Sequence, residues 1–131
     1  MDYLLDTSWI INVLAGESAS AAYQRNLNLA RVAVSYVSVG EIYEVAFAYV
    51  NPEAHLVSFR QFLAPFKLLT LTDPIMEQFA EVRAFLRRRG EIISDFDILI
   101  GATALVHDLT LLTYNTRHFK RIPHLTLYPK A

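Results

Sequence analysis

Hydrophobic residues along the chain alternate between short runs and helical stripes. Five short apolar runs have the length of buried strands, at Tyr3–Leu5, Val32–Val34, Lys67–Leu69, Leu111–Thr113 and Thr126–Tyr128. Segments with helical spacing separate most of them. Short apolar strands that alternate with helices predict an α/β fold, with a parallel sheet of four or five strands and helices on both faces.

Apolar residues at helical spacing predict six helices between these strands. They cover about Trp9–Leu14, Ser18–Leu29, Glu41–Tyr49, Glu53–Leu63, Pro74–Arg89 and Asp95–His107. The longest helix has Pro74 in its first turn and Gly90 as its stop signal. The last helix is apolar on most sides, which predicts that it is buried. No repeat or linker interrupts the pattern, so we expect a single domain over residues 1–131.

Composition narrows the class of protein. Hydrophobic residues make up 53% of the chain and charged residues 19%, which favours a well-filled core over disorder. The absence of cysteine excludes both a disulfide framework and a thiolate metal site. The start of the chain lacks the pattern of a signal peptide, and Ile98–Leu105 is too short to span a bilayer. We therefore expect a cytoplasmic protein without a membrane partner.

The charge distribution leaves a nucleic-acid partner open. The formal net charge is −1, so the molecule as a whole has no field that attracts a polyanion. Basic residues nevertheless cluster locally at Arg87–Arg89 and at Arg117–Arg121. The first cluster also fits an ordinary structural role, because cations stabilise the carboxyl end of a helix.

Four polar residues occupy positions where a parallel sheet usually binds its ligand. Asp6 ends the first strand, Glu41 and Asp97 each open a helix, and Asn115 follows the fourth strand. Ligands of open α/β sheets lie beyond the carboxyl ends of the strands, so we expect these side chains to converge on one pocket. Carboxylate oxygens suit Mg²⁺, and no histidine falls at a zinc-like spacing.

Each of these residues also has an ordinary explanation as a capping or turn residue. Asp6 suits an N-cap, Ser38 and Glu41 form a capping-box pattern, and Ser94 and Asp97 form a looser one. Asn115 suits a turn. Capping is the commoner role for any one such residue, whereas the arrangement of the four together favours a shared metal-binding site.

Geometry separates the two neighbouring aspartates. Residues two apart on a helix do not share a face, so Asp95 could join Asp97 at the pocket only from outside regular helix. We predict that Asp97 faces it and that Asp95 has a capping or supporting role. His107 and His118 could act in acid–base chemistry, but a solvated histidine is the simpler interpretation of both.

Four stretches of the chain resemble the PIN-domain family and, within it, the VapC toxins of toxin–antitoxin modules. They are Tyr3–Ser8, Val37–Ile42, Asp97–Leu105 and Leu112–Phe119, the last continuing to Arg121–Pro123. They follow the order and spacing of that family and span nearly the whole chain. The resemblance implies a PIN-like three-layer sandwich.

The resemblance also implies roles for individual residues. Asp6, Glu41 and Asp97 match the metal-binding acids of the family, and Asn115 stands where many relatives have a fourth aspartate. The resemblance assigns supporting positions to Thr7 or Ser8 and to Thr113, and helix geometry adds Asp95. A path for RNA is expected along Arg117, Lys120, Arg121, Arg87, Arg88 and Arg89. Gly101 stands where the family usually has alanine, a change expected to affect packing.

The implied function is that of an endoribonuclease toxin. The resemblance implies Mg²⁺, with Mn²⁺ as a substitute, and hydrolysis of phosphodiester bonds in a structured RNA such as transfer or ribosomal RNA. It also implies a cognate antitoxin and either a homodimer or a hetero-oligomer with that antitoxin. Aromatic residues around the third helix, Tyr36, Tyr43, Phe47 and Tyr49, suit either such an interface or the core.

Two alternatives remain open at the level of sequence. The first is a PIN-fold binding module with little or no cleavage that acts through a DNA-binding partner, which Asn115 and the modest charge favour. The second is a small flavodoxin-like regulator, which would pair a phosphorylated aspartate with a lysine. The only lysines late in the chain are Lys120 and Lys130.

Overall fold

The computed structural model describes residues 2–16 and 28–128, which contain one four-stranded parallel sheet. Its strands are β1 (Tyr3–Leu5), β2 (Val32–Ser35), β3 (Lys67–Leu69) and β4 (Thr110–Leu112). Their order is β3-β2-β1-β4, and every pair is parallel. The chain adds β2 and β3 on one side of β1 and then crosses to place β4 on the other. The strand order therefore reverses between β1 and β4.

The predicted α/β class and parallel sheet are confirmed. The fifth strand that the sequence predicts at Thr126–Tyr128 amounts to a single parallel bridge between Leu127 and Leu111. Two backbone hydrogen bonds hold this bridge, from Leu111 N to Thr126 O and from Tyr128 N to Leu111 O. One bridge is too short to form a ladder, so the sheet has four strands.

Six α-helices connect or flank the strands within the described ranges. They are α1 (Thr7–Leu14), α2 (Tyr36–Ala46), α3 (Pro52–Leu63), α4 (Asp73–Arg89), α5 (Asp95–His107) and α6 (Thr116–Phe119). The helix predicted at Ser18–Leu29 falls almost wholly outside the described residues, and a 3-10 turn at Leu29–Arg31 precedes β2. Gly90 ends α4 with a left-handed conformation, as predicted. No helix in the described part of the chain has the length and apolar character that crossing a bilayer requires.

The predicted start of the helix after β2 is wrong. The helix α2 begins at Tyr36, directly after the strand, because Ser35 caps it and accepts a hydrogen bond from Val37 N at 3.0 Å. Ser38 therefore lies inside the helix, where it is fully buried, and does not form a capping box with Glu41. Both serines suit an N-cap by residue type, and the early end of the strand selects the first of them.

Alternate residues of each strand fill two cores on opposite faces of the sheet. Leu4 and Leu111 pack with residues of α4 and α5, among them Val82, Leu86 and Ile98. The next residues along the strands, such as Leu5 and Leu112, pack with residues of α1, α2 and α3 on the other face. This alternation follows from the two-residue period of a strand. Helices therefore cover both faces of the sheet and leave the ends of its strands for polar side chains.

The glycine at position 101 makes room for a segment near the end of the chain. A Cβ atom at Gly101 would lie 2.6 Å from Cδ1 of Ile122, which is buried against α5. Alanine at this position would force that side chain to move. The packing effect expected at Gly101 thus involves Ile122.

Candidate functional site

The carboxyl ends of β1 and β4 meet at Asp6. Its Oδ2 accepts hydrogen bonds from Ser8 Oγ at 2.6 Å and from Thr113 Oγ1 at 2.7 Å. Oδ2 also accepts a longer bond, of 3.4 Å, from Ser8 N, so Asp6 caps α1 as its residue type predicts. Asp6 is 2% exposed, and its other oxygen, Oδ1, is buried without a hydrogen-bond partner among the described residues.

A buried carboxylate oxygen without a hydrogen-bond partner, such as Asp6 Oδ1, needs an explanation. Leaving a buried polar atom unpaired costs about 1–3 kcal/mol, and more for a charged group. The three donors on Oδ2 fix the side chain, so Oδ1 cannot turn away from its position. The unpaired oxygen is the feature that a bound cation would satisfy.

Glu41 reaches the same region from α2. Thr7 Oγ1, at the start of α1, donates a hydrogen bond of 2.6 Å to Glu41 Oε1 and lies 2.8 Å from Ser38 Oγ. Because α2 begins at Tyr36, Glu41 projects from its second turn and not from its first. The hydroxyl of Thr7 therefore links α1 to α2 through its contacts with Glu41 and with the buried Ser38.

Asp97 enters from the first turn of α5. Ser94 caps this helix and accepts a hydrogen bond from Asp97 N at 3.2 Å, so the capping part of the predicted pattern is confirmed. The Asp97 side chain points away from this cap and toward Asn115, whose Nδ2 donates a hydrogen bond of 3.4 Å to Asp97 Oδ2. His118 Nδ1 lies 3.8 Å from the same oxygen and 2.9 Å from Asn115 Nδ2.

The three acids repel one another. Burial raises the pKa of Asp97, the charge of Asp6 raises it further, and His118 opposes both effects. Burial also raises the pKa of Glu41; the hydrogen bond from Thr7 opposes this increase, and the charges of Asp97 and Asp6 add to it. Side chains that influence one another in this way share one region. The structure thus brings together acids from the end of β1, the second turn of α2 and the first turn of α5.

This repulsion predicts that Glu41→Gln stabilises the cation-free protein at neutral pH. The folded pKa of Glu41 lies above its unfolded value, so the folded protein holds this proton more tightly. The free energy of unfolding therefore decreases as pH rises through the window between those two values. Glutamine can still accept from Thr7 and does not titrate. We expect its melting temperature in EDTA to exceed that of wild type by roughly 3 °C at pH 7.

Thermal melts in EDTA between pH 4 and pH 8 measure this effect. The gain should shrink toward the acidic end, where wild type carries the proton. Glu77→Gln is the matched control, because Glu77 is exposed on α4 and its charge is not among those that raise the pKa of Glu41. A difference in melting temperature between wild type and Glu41→Gln that stays constant from pH 4 to pH 8 would contradict the prediction.

The carboxylate oxygens at this site are chemically suited to a hard divalent cation. Mg²⁺ prefers oxygen and usually takes one or two carboxylates, with water and phosphate completing its shell. Asp6 Oδ1 and the Asp97 carboxylate offer such oxygens. Glu41 lies near both acids, because their charges raise its pKa. Within residues 2–16 and 28–128, no three His, Cys, Asp or Glu side chains are arranged to enclose an ion by themselves. The residues therefore fit an open, partly hydrated site.

The sequence profile of the PIN domain matches residues 3–125. This range is well over half of the chain and contains all the residues of the site. The chain belongs to the PIN domain family. Its parallel sheet with helices on both faces is the architecture that the sequence resemblance predicted.

Named relatives extend this finding along nearly the whole PIN domain. The chain is 29% identical over 122 residues to ribonuclease VapC2 of Haemophilus influenzae, which covers 93% of this chain and 92% of the relative. It is 28% identical over 122 residues to the tRNA(fMet)-specific endonuclease VapC of Shigella flexneri, with the same coverage. The solved structure of DNA-bound VapBC from Salmonella typhimurium has a chain that superposes with a TM-score of 0.90. That pair is 24% identical and covers 100% of this chain and 99% of the other.

Asp95 lies apart from the acids of this PIN domain. Its Oδ1 accepts a hydrogen bond from Arg83 Nε at 2.7 Å on the exposed surface of α4 and α5. The prediction that Asp95 and Asp97 face different ways is confirmed. Capping, one of the two roles predicted for Asp95, is excluded, because Ser94 precedes the helix and already supplies the acceptor.

The basic residues occupy two separate regions. Arg117 and Lys120 are exposed on or just after α6, beside Asn115, and Arg121 is half-buried. The other three, Arg87, Arg88 and Arg89, form the last turn of α4, as their interpretation as helix-end cations predicts. Arg89 pairs with Glu91 at 3.0 Å and lies over the ring of Phe85. Its partners are therefore neighbours on α4 and the turn after it.

Sequence reasoning missed two members of the site. His118 was expected to be solvated, and it lies against Asn115 and Asp97 with its side chain 43% exposed. Ser38 was expected to cap a helix, and it contacts Thr7 inside the core. The three-residue spacing of Asn115 and His118 at the start of α6 was the available signal for the first, since residues three apart share a helix face.

Proposed function

We propose that this PIN domain is a metal-dependent endoribonuclease of the VapC kind. The observation that carries the proposal is the buried, unpaired Oδ1 of Asp6 beside the mutually repelling carboxylates of Asp97 and Glu41. A protein that only binds a polyanion gains nothing from clustered negative charge. The names of the VapC relatives support hydrolysis of RNA by such a cluster.

Each residue of the site has a distinct part in the proposed reaction. Asp6 and Asp97 would hold Mg²⁺, or Mn²⁺ in its place, and Glu41 would hold or orient a water molecule at the same pocket. When bound, the cation supplies a Lewis acid that lowers the pKa of the attacking water and neutralises charge on the phosphate. Thr113 and Ser8 keep Asp6 in a single orientation through their hydrogen bonds.

His118 and Asn115 would position Asp97. Asn115 donates to Asp97 Oδ2, and His118 lies close enough to stabilise its negative charge. Arg117 and Lys120 are exposed next to this pair and would contact the phosphates of the substrate. The amino ends of α1 and α5 also favour a negatively charged ligand at the pocket.

Cleavage of total RNA as a function of Mg²⁺ concentration tests the proposed function. We expect fragments to accumulate with Mg²⁺ or Mn²⁺ and to be absent in EDTA, with cleavage concentrated in structured transfer or ribosomal RNA. The relative from Shigella flexneri, named as specific for tRNA(fMet), motivates transfer RNA as the first substrate. A folded protein that cleaves no RNA with either cation would favour a binding module instead.

Restoring a fourth acid should strengthen cation binding. Asn115→Asp places a carboxylate where the amide now donates to Asp97 Oδ2, and this acid adds negative charge to the pocket. We expect a several-fold lower Mg²⁺ concentration for half-maximal cleavage, and a lower melting temperature in EDTA because the added charge is repelled. Cleavage rates over a range of Mg²⁺ concentrations measure the first effect. An unchanged or higher half-maximal concentration would contradict it.

A cognate antitoxin is the partner that this proposal includes. The superposed chain from Salmonella typhimurium belongs to a DNA-bound VapBC structure. A basic side chain of the antitoxin, directed at Asp6, Glu41 and Asp97, would neutralise their repulsion and occlude the pocket. Co-expression with the protein encoded by the adjacent gene should yield a complex with suppressed cleavage. A complex that cleaves RNA as fast as the isolated chain would contradict this part of the proposal.

A further inference from the structure

An exposed aromatic ring lies at the edge of the site between two of its residues. Tyr114 follows Thr113, precedes Asn115, and stacks on Trp9 with ring centroids 4.9 Å apart and planes inclined by 16°. Trp9 is 3% exposed and packs in the core beneath α1. Tyr114 is 37% exposed. Tyr114 is therefore partly exposed while its ring rests on a buried one.

The same hydrogen bonds that orient Asp6 also fix the backbone of Tyr114. Tyr114 N donates to Ser8 Oγ at 3.1 Å, and that hydroxyl donates to Asp6 Oδ2 at 2.6 Å. Asn115 N donates to Thr113 Oγ1 at 2.8 Å, and Thr113 in turn donates to Asp6 Oδ2. These bonds and the stacking on Trp9 hold Tyr114 in place before any ligand arrives, which lowers the conformational entropy that the protein would lose on binding a stacked ligand.

Positive charge lies close to this ring along the chain. Arg117 and Lys120 are both exposed and three residues apart at α6, so they project from one side of it. Proteins that bind single-stranded nucleic acid combine such cations with aromatic rings on which bases stack.

We propose that Tyr114 is a base-stacking residue that holds an unpaired nucleotide of the RNA next to the acids. The inference rests on the proposed function and names the substrate class at this site, an RNA segment that is single-stranded around the cleaved bond. In a duplex, neighbouring base pairs cover the faces of each base, so the nucleotide must be unpaired to stack on a protein ring.

Cleavage kinetics on unpaired RNA test the proposal. The probe is a pool of single-stranded RNAs of random sequence, about 12 nucleotides long to span a typical single-strand binding site, from which the cleaved sequence is recovered and resynthesised. Tyr114→Phe keeps the ring, whereas Tyr114→Leu covers Trp9 without an aromatic face. We expect Tyr114→Phe to retain kcat/KM within about twofold and Tyr114→Leu to lose about tenfold, chiefly through KM. Thermal melts show that both variants fold.

A matched control lies on another part of the surface. Tyr49 is 50% exposed and stacks on His55, with ring centroids 3.8 Å apart, between α2 and α3. Tyr49→Leu removes a comparable stacked ring away from Asp6 and Asp97. We expect its kcat/KM on the same probe to match wild type, so a loss confined to Tyr114→Leu reports on the site.

An abasic substrate separates stacking from a structural role of the ring. The probe is remade with an abasic ribose on either side of the cleaved bond in turn. At one of these positions wild type should lose about the same factor as Tyr114→Leu does with intact RNA, and Tyr114→Leu should lose little more. Equal losses for both proteins at both positions would overturn the proposal, as would a Tyr114→Leu enzyme as fast as wild type.

The failure of this inference is distinct from that of the proposed function. If folded wild type cleaves neither the random pool nor total RNA in Mg²⁺, the ribonuclease proposal fails and the stacking proposal falls with it. If wild type cleaves only RNA whose target bond is paired, the ribonuclease proposal stands and the stacking proposal is overturned.

Discussion

Asp97→Asn should lower metal-dependent RNA cleavage by two or more orders of magnitude while the protein remains folded. The substitution keeps the shape of the side chain and removes the charge that would bind the cation. Loss of one ligand of a catalytic metal removes charge stabilisation from the transition state, and such losses reach several powers of ten in rate.

The same variant should be at least as stable as wild type in EDTA. Burial and the charge of Asp6 raise the pKa of Asp97, so its ionised form destabilises the folded protein at neutral pH. Asparagine is free of that repulsion. The cap of α5 is unaffected, because Ser94 supplies the acceptor for Asp97 N. Lost activity with a retained or higher melting temperature would identify a functional residue that reduces stability.

Asp95→Asn is the matched control for this experiment. The two aspartates are two residues apart in the same turn, and Asp95 pairs with Arg83 on the surface. An exposed pair contributes little to stability, so the control should change both activity and melting temperature only slightly. Rates are measured against Mg²⁺ concentration for all three proteins. Equal cleavage by wild type and Asp97→Asn would leave Asp97 with only its place in the capped first turn of α5.

Asp6→Asn should abolish both cleavage and the stabilisation of the folded protein by Mg²⁺. Wild type should melt at a higher temperature in Mg²⁺ than in EDTA, because a cation that binds only the folded state stabilises it by mass action. At about ten times the dissociation constant this gain is about 1.4 kcal/mol, which corresponds to a shift of roughly 5 °C. With the amide oxygen of asparagine at the Oδ2 position, its nitrogen would take the unpaired position, where it carries no charge and cannot bind a cation.

The fold should survive this substitution as well. The amide oxygen of asparagine can accept the hydrogen bonds that Ser8 and Thr113 now donate to Asp6 Oδ2. Asparagine is also as good an N-cap as aspartate for α1. Asp73→Asn is the control, since Asp73 is exposed in the first turn of α4. A Mg²⁺-induced shift in Asp6→Asn as large as that of wild type would exclude Asp6 as the ligand.

Local patterns in the sequence determined most of the secondary structure of this PIN domain. The strand at Tyr3–Leu5, the helix at Asp95–His107 and the stop at Gly90 lie where hydrophobic period and capping chemistry predict them. These features are encoded within a few residues of one another. Asp6 was predicted as a site residue because it ends a strand, and Glu41 and Asp97 because each was expected to open a helix. The family resemblance supported all three.

The start of α2 shows the limit of local patterns. Ser35 and Ser38 offer the same capping chemistry three residues apart, and only the packing of β2 against its neighbours decides where the strand ends. This difference of one turn sets the direction in which Glu41 projects. Its hydrogen bond with Thr7 joins residues 34 positions apart, and no local pattern contains that information.

Tertiary structure alone decided which side chains surround the acids. Thr113 donates to Asp6 across 107 residues because β4 crosses over to pair with β1, and His118 meets Asp97 because α6 follows that strand. Tyr114 stacks on Trp9 for the same reason. The sequence determined the chemical groups, since residue type and period act locally. The order of strands determined their partners, since contacts between distant residues exist only after the sheet has formed.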